Sequence, residues 1–231
     1  MGLVNNSRAK VFHTVVAKAL FATKRSRPNR HNALDFLTTR VRVPNEDDWK
    51  KLLRLMQYMR NATNMPLTLR ADVTNIVKWW VDRSYAVHPD MRSQTGGTMS
   101  LGKRAIISTS IKQKMNTKSL TETELIAADD MMPHILWKIN FLNWQGYNAK
   151  DTVIYQDNNS AIMLEKNVKK SSSKRTKHIA IRYYFITDRV KADELDIDYC
   201  STGDIVADYF TKPLQGKKFY HFCKEIMNLK E

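Results

Sequence analysis

Four acids stand where an α/β fold can turn carboxylates into chemistry: Asp82, Glu124, Asp157 and Asp208. Asp157 follows a short apolar run, Val153 to Tyr155, and precedes Asn158-Asn159-Ser160, residue types that cap helices. A carboxylate at the C-terminal lip of a strand, beside a helix start, is held rigidly and faces solvent. Open α/β sheets place ligands there. Taken alone, Asp157 reads better as a helix N-cap; the three other acids in similarly placed motifs change that. Asp82 closes the apolar run Ile76 to Val81, Glu124 falls in the first turn of a long helical stretch, and Asp208 lies in a helix after the last strand.

Several carboxylates in one pocket repel one another unless cations neutralise them. Oxygen ligands without a Cys or His cluster suit Mg²⁺ or Mn²⁺. Two such ions, about 4 Å apart, form the clamp that makes or breaks phosphodiesters. Other acids compete for the role. Asp129 and Asp130 turn away from the helix face of Glu124, while Asp196 and Asp198 share one solvent-facing side of a strand.

The elements that must position these acids are legible from periodicity. Residues 8–43 carry Val11, Val15, Val16, Ala19 and Leu20 at helical spacing, with Arg27-Pro28 as punctuation. Asn45 with Glu46, Asp47 and Asp48 starts a further helix whose apolar face is Leu52, Leu53, Leu55, Met56 and Met59. After Pro66 the period changes. Leu67 to Leu69 and Ile76 to Val81 read as strands, Arg83 to Arg92 as a polar link followed by Gly96-Gly97, and Thr98 to Leu101 and Ala105 to Ser108 as strands joined by a turn at Gly102-Lys103. This predicts an antiparallel meander and a domain boundary near Thr63, giving residues 1–63 and 64–231.

Ser119 and Glu122 form a capping-box pattern, and Leu125, Ala128, Met132, Ile135, Leu136, Ile139 and Leu142 form the apolar stripe of one long helix. A strand at Val153 to Tyr155, a helix from Asn158, a basic loop from Lys166 to Lys177, a helix from Ile179 to Val190, a strand at Leu195 to Tyr199 and a final helical region follow. The order β-β-β-α-β-α-α-β-α predicts an α/β sheet with an antiparallel side, preceded by a small helical subdomain.

Lys and Arg number 38 against 23 Asp and Glu, a formal net charge of +15 over 231 residues. That excess points to a polyanionic partner. Apolar residues make up 42%, enough for a true core. No run reaches the roughly 18 apolar residues of a membrane span, so no membrane partner is expected. Two cysteines, Cys200 and Cys223, supply neither a disulfide framework nor a zinc site. An intracellular location, in a cytoplasmic particle or the nucleus, is the expectation, with nucleic acid as the partner. The run Lys166, Lys169, Lys170, Lys174, Arg175 and Lys177 is a candidate phosphate track or a solvated loop. His178 reads as a proton shuttle, a phosphate contact or a polar residue at a helix start, and Asn158 as a further candidate contact.

Five ordered stretches resemble the ribonuclease H domain of copia-type retrotransposon Pol polyproteins. They are Trp80-Val81-Asp82-Arg83-Ser84-Tyr85-Ala86 with Arg92 to Gly97; Thr121-Glu122-Thr123-Glu124-Leu125-Ile126-Ala127; Tyr155 to Ile162; Lys174-Arg175-Thr176-Lys177-His178-Ile179 with Arg182 to Ile186; and Ala207-Asp208-Tyr209-Phe210-Thr211-Lys212-Pro213-Leu214. The segment from Phe12 to Arg60 resembles the thumb-like end of the reverse transcriptase in the same elements. The resemblance implies a ribonuclease H-like fold, with a five-stranded mixed sheet, three strands antiparallel and the others parallel, flanked by helices. It implies a two-metal hydrolase (two Mg²⁺, or Mn²⁺) that cuts the RNA strand of RNA–DNA hybrids, with Asp82, Glu124, Asp157 and Asp208 as ligands. Asp82 would bridge, and Asp208 would tolerate change best. Glu124 is preferred over Glu122 because Glu122 is occupied at the helix start. The polymerase palm with its paired aspartates is not in the sequence, so no polymerase activity is expected, and the missing reverse transcriptase portion becomes a candidate partner. A catalytically silent nucleic-acid-binding relic is the alternative. Arg83 departs from the family, which usually has a small residue there. Strand alternation turns it to the face opposite Asp82, so it need not enter the site, although a basic neighbour there would weaken metal affinity.

Overall fold

The computed structural model describes residues 2–72, 74, 76–103, 105–149, 151–166 and 177–229. Contacts divide the chain into two compact units, Met1–Thr68 with Pro213–Glu231, and Leu69–Lys212.

The first unit is helical. Helix α1 (Asn6–Ser26) starts where the Asn5 side chain accepts the Arg8 N–H. A 3₁₀ turn at Pro28–Arg30 leads into α2 (His31–Thr38). Helix α3 (Glu46–Asn61) opens with a reciprocal cap between Asn45 and Asp48. Phe12, Val16, Leu34, Leu37, Leu52 and Leu55 form its core. The last helix, α8 (Gly216–Met227), belongs here rather than with the sheet. Phe219 stands edge-on to Tyr58, and the Asn228 side-chain amide donates to the Thr68 carbonyl at 2.9 Å. The boundary read near Thr63 leaves these last residues with the sheet. The contacts place them with the helices, because the apolar face of α8 is covered there.

The second unit holds two sheets. β1 (Arg70–Ala71) pairs with β4 (Gly102–Lys103) in a small ribbon, so Gly102-Lys103 is a strand rather than a bare turn. The main sheet contains β2 (Val77–Ser84), β3 (Gln94–Ser100), β5 (Ile107–Lys112), β6 (Thr152–Gln156) and β7 (Asp196–Tyr199), in the order β5-β3-β2-β6-β7. β5, β3 and β2 run antiparallel, while β6 and β7 run parallel to β2. This is the five-stranded ribonuclease H-like arrangement that the resemblance implies.

Helix α4 (Leu120–Trp144) lays Ala127, Met131 and Ile135 onto Val77, Trp79, Val81 and Met99, with Ile154 and Ile197 completing the core. Helices α5 (Asn159–Lys166) and α6 (Lys177–Lys191) follow β6, and the short α7 (Asp208–Thr211) follows β7.

Gly96 and Gly97, which precede the strand expected from Thr98, lie inside β3. A Cβ on Gly96 would fall 2.5 Å from Thr211 Cγ2, and one on Gly97 would fall 2.7 Å from the Met131 side chain. Glycine is needed here for close approach, not for a turn. Adjacent strand residues face opposite sides. Helix α7 therefore covers one face of β3 and α4 the other.

Candidate active site

The acids meet where β2 and β6 part. The last register pair between these parallel strands is Trp80 with Tyr155. Asp82 lies two residues further along β2, and Asp157 two residues beyond Tyr155. The pair Asp82–Gly96 keeps Asp82 on the strand, so it sits inside β2 and does not end it. Residues opposite one another in an antiparallel pair share a face. Asp82 therefore shares the α7 side with Gly96, and Arg83 lies on the α4 side.

Glu124 enters from the first turns of α4. Ser119 accepts the Glu122 N–H, and Glu122 Oε2 accepts the Lys118 N–H at 2.6 Å. Glu122 is thus engaged at the helix start, one residue further back than a standard capping box. Glu124 lies beyond it, buried. Asp157 follows β6 and is half-buried, with Thr202 Oγ1 donating to its Oδ2 at 3.1 Å. The Asn158 side chain accepts the Ala161 N–H at 3.1 Å and so caps α5. The cap falls on Asn158, and Asp157 is released from that duty.

One carboxylate oxygen from each of Asp82, Glu124 and Asp157 lies within 4.8 Å of the others. Asp208 stands outside this trio, buried at the start of α7. It pairs with Lys212 one helical turn on, and Lys212 Nζ also lies 3.5 Å from Asp82 Oδ2. Thr211 Oγ1 donates to the same Asp82 oxygen. Helix α7 is tied to the sheet from both ends of the meander. Ser84 Oγ donates to the Thr211 carbonyl at 2.7 Å, and Ser110 Oγ to the Phe210 carbonyl at 2.6 Å.

Burial dominates the electrostatics. It pushes the Asp82 carboxyl up to about 6, against the pull of Lys212 and the Thr211 hydroxyl. It raises Glu124 well above the ordinary carboxylate range, helped by Asp82 and opposed by Arg83. For Lys212, burial opposes the charge, yet the carboxylates of Asp82 and Asp208 outweigh it and raise the ammonium. Both Glu124 oxygens are buried without a hydrogen-bond partner. Such oxygens are costly. An oxygen-seeking cation would satisfy them, and the donor set is of the hard type that Mg²⁺ and Mn²⁺ take. The residues fit such ions.

The roles of two residues here escaped the sequence reading, although both stand in the motif Ala207 to Leu214. Lys212 was signalled by its i,i+4 spacing from Asp208 on a helix. The role of Thr211 depends on α7 lying flat against Gly96, which no local period carries. Arg83, marked from the sequence as a basic neighbour of Asp82, does approach the site. Alternation does turn it from Asp82, but toward the face that carries α4, where its Nε lies 3.1 Å from Glu124 Oε1.

The acids set aside from the site are occupied elsewhere. Asp129 pairs with Arg182 at 2.5 Å, Asp130 accepts from Thr95 Oγ1 at 3.0 Å, and Asp196 pairs with Lys166 at 2.9 Å. Lys174 and Arg175 lie outside the described residues, as do the side chains of Lys177 and His178, whose backbone begins α6.

The chain is 31% identical over 223 residues, 96% of its length, to the retrovirus-related Pol polyprotein from transposon TNT 1-94 of Nicotiana tabacum. This chain is a relative of the copia-type retrotransposon Pol polyproteins. The corresponding polyproteins from transposons RE2 and RE1 of Arabidopsis thaliana are 30% and 31% identical over 87% of the chain. The chain spans only 16%, 14% and 14% of these three proteins. No family model matches. Among solved structures, LC11-RNase H1 isolated from compost aligns at a TM-score of 0.44 and 12% identity, covering 60% of this chain and 94% of that one. The same enzyme in complex with an RNA/DNA hybrid aligns at 0.43 and 10% identity, covering 58% and 93%. The Pol relationship and the sheet order together make Leu69–Lys212 a ribonuclease H-like domain.

Proposed function

We propose that this chain is a metal-dependent endoribonuclease that hydrolyses the RNA strand of RNA–DNA hybrids. The observation that carries the reading is Glu124, a buried carboxylate with two unpartnered oxygens that converges with Asp82 and Asp157. Asp82, Glu124 and Asp157 would hold the metal, with Asp208 joining from α7. Bound there, a pair of divalent cations would supply Lewis acidity for in-line displacement at phosphorus.

The chain's own residues supply the frame. Thr211 and Thr202 fix the rotamers of Asp82 and Asp157 by hydrogen bonds, so the two carboxylates need little reorganisation. Lys212 restrains Asp208 and offsets part of the mutual repulsion. The net charge of +15 supplies attraction for a phosphate backbone, and binding should weaken steeply with salt. Selection of RNA would come from 2′-hydroxyl contacts along the minor groove. Lys174, Arg175, Lys177, His178 and the Asn158 amide are the proposed contacts. Lys166, from the same basic run, is engaged by Asp196 and Asp198. The reverse transcriptase portion of a Pol polyprotein is a proposed partner.

The test is cleavage of an end-labelled RNA–DNA hybrid with Mg²⁺ and with chelator. Metal-dependent cutting of the RNA strand, lost in Asp157→Asn, is the expected result. Undiminished activity in that variant would remove the site. Hybrid binding without cutting would support the silent relic instead.

A further inference from the structure

Arg83 is the feature that the proposed function does not absorb. Its guanidinium is largely buried, and its Nε lies 3.1 Å from Glu124 Oε1. Contact distance is not the same as a good bond. Neither Arg83 Nε nor either Glu124 oxygen has an aligned hydrogen-bond partner. The pair is held by charge, without the directional bonds that make a guanidinium–carboxylate pair strong. Asp82 and Asp208 share Lys212, whereas Asp157 has no ion pair among the described residues.

Each cation occupies a place that a metal would take. A carboxylate facing a guanidinium attracts a metal less, because the two positive charges repel across a poorly solvated gap. The face assignment explains why Arg83 matters. Position 83 points to the α4 side, directly toward Glu124. A small residue there would leave Glu124 beside carboxyl groups, with no cation next to it among the described residues.

Resting on the proposed metal site, we propose that Arg83 is a built-in competitor for the divalent cation at Glu124, so that Glu124 is the last of the trio to engage metal. The guanidinium neutralises Glu124 when metal is scarce and must swing away before that carboxylate can bind. The misaligned contact makes the exchange feasible. Asp82 and Asp157 would hold metal at lower concentration, and Glu124 would engage it only at higher concentration.

The experiment is titration of the full chain with Mn²⁺, followed by isothermal calorimetry and by the electron paramagnetic signal of free Mn²⁺. Arg83→Ser should bind its weakest Mn²⁺ roughly tenfold more tightly, equivalent to about 1.4 kcal/mol. Arg83→Lys, which keeps the charge, should stay near the parent. Glu124→Gln should lower Mn²⁺ affinity strongly in the Arg83→Ser background and only slightly in the parent, an interaction that separates competition from a packing role. Unchanged or weaker Mn²⁺ binding in Arg83→Ser, or equal tightening in Arg83→Lys, overturns the proposal. If Arg83→Ser fails to fold, the decision passes to Arg83→Lys and to Glu124→Gln in the parent, where a strong loss of affinity overturns it. Asp157→Asn separates the two levels. If the parent binds no Mn²⁺, or binds it equally well in Asp157→Asn, the metal site itself fails, and not merely the role of Arg83.

Discussion

Two glutamates of the second unit are buried to the same depth and have opposite company. Glu124 meets Asp82 and Asp157 with Arg83 alongside. Glu165, at the end of α5, meets the Gln156 amide, which donates to its Oε1 at 3.4 Å, while Thr187 donates to its backbone carbonyl. Each keeps an unpartnered oxygen. Burial pushes both carboxyls up, Glu165 to about 8. The difference lies in what could satisfy them. Around Glu124, further carboxylates make a cation the natural partner. Around Glu165, the unpartnered Gln156 Oε1 makes a retained proton the natural partner, since a neutral acid can donate where a carboxylate cannot. A buried acid is therefore not by itself a metal ligand. Convergence with other acids decides.

The sharpest way to break this contrast is to remove convergence. Asp82→Asn should lower hybrid cleavage on the order of a thousandfold while hybrid binding persists. A loss below about tenfold in the gel assay would show that the trio does not act together. Glu124→Gln should cost less activity, on the order of a hundredfold. Because Arg83 would lose its carboxylate partner, Glu124→Gln should also lower the melting temperature without metal, roughly 2–4 °C for each kcal/mol lost. Added Mg²⁺ should then shift melting less than in the parent.

Glu165→Gln should leave cleavage intact and change only the pH profile of stability. In the fold the acid keeps its proton up to about 8, whereas its ordinary value is 4.5. Between those values the unfolded chain has released a proton that the fold retains. Stability is thus fullest below about 4.5 and declines as pH rises toward 8. Denaturant midpoints of Glu165→Gln should be flatter over that window. An unchanged slope would mean that Glu165 is already ionised. The smallest effect is expected at Asp129. Its ion pair with Arg182 is partly exposed, and Asp129→Asn should cost about 1 kcal/mol or less, with cleavage within about twofold of the parent. A large loss of cleavage there would extend the site along α4.

Strands β2 and β6 were legible from apolar runs, β7 from its alternation, and the long helix because its stripe and cap agree. The strand expected at Leu67 to Leu69 is absent, and the first pairing falls at Arg70–Ala71. The same physics explains the misreadings. Gly96-Gly97 is left outside the strand because sequence cannot show that α7 and α4 press on β3 from either side. That error shortened β3 and, with it, β2, so Asp82 appeared to end a strand that continues through Arg83 and Ser84. The four acids were found from position and from the family pattern. The Thr211 bond to Asp82 and the Arg83 contact to Glu124 were not, because they depend on which helix covers which face. The assignment of α8 to the helical unit depends on long-range contacts that no local period carries.

The glycine at position 96 has a consequence for how such sequences decay. A single methyl there would strike Thr211 and the backbone carbonyl of Ala207. To make room, α7 must lift, and with it go the Thr211 hydroxyl on Asp82 and the Lys212 contact to Asp82. Copies drifting without selection can thus lose the pocket while every carboxylate survives in the text of the gene. For chains of this kind, an inventory of intact acids overstates how many copies remain functional, and a glycine on the neighbouring strand is an equally informative letter.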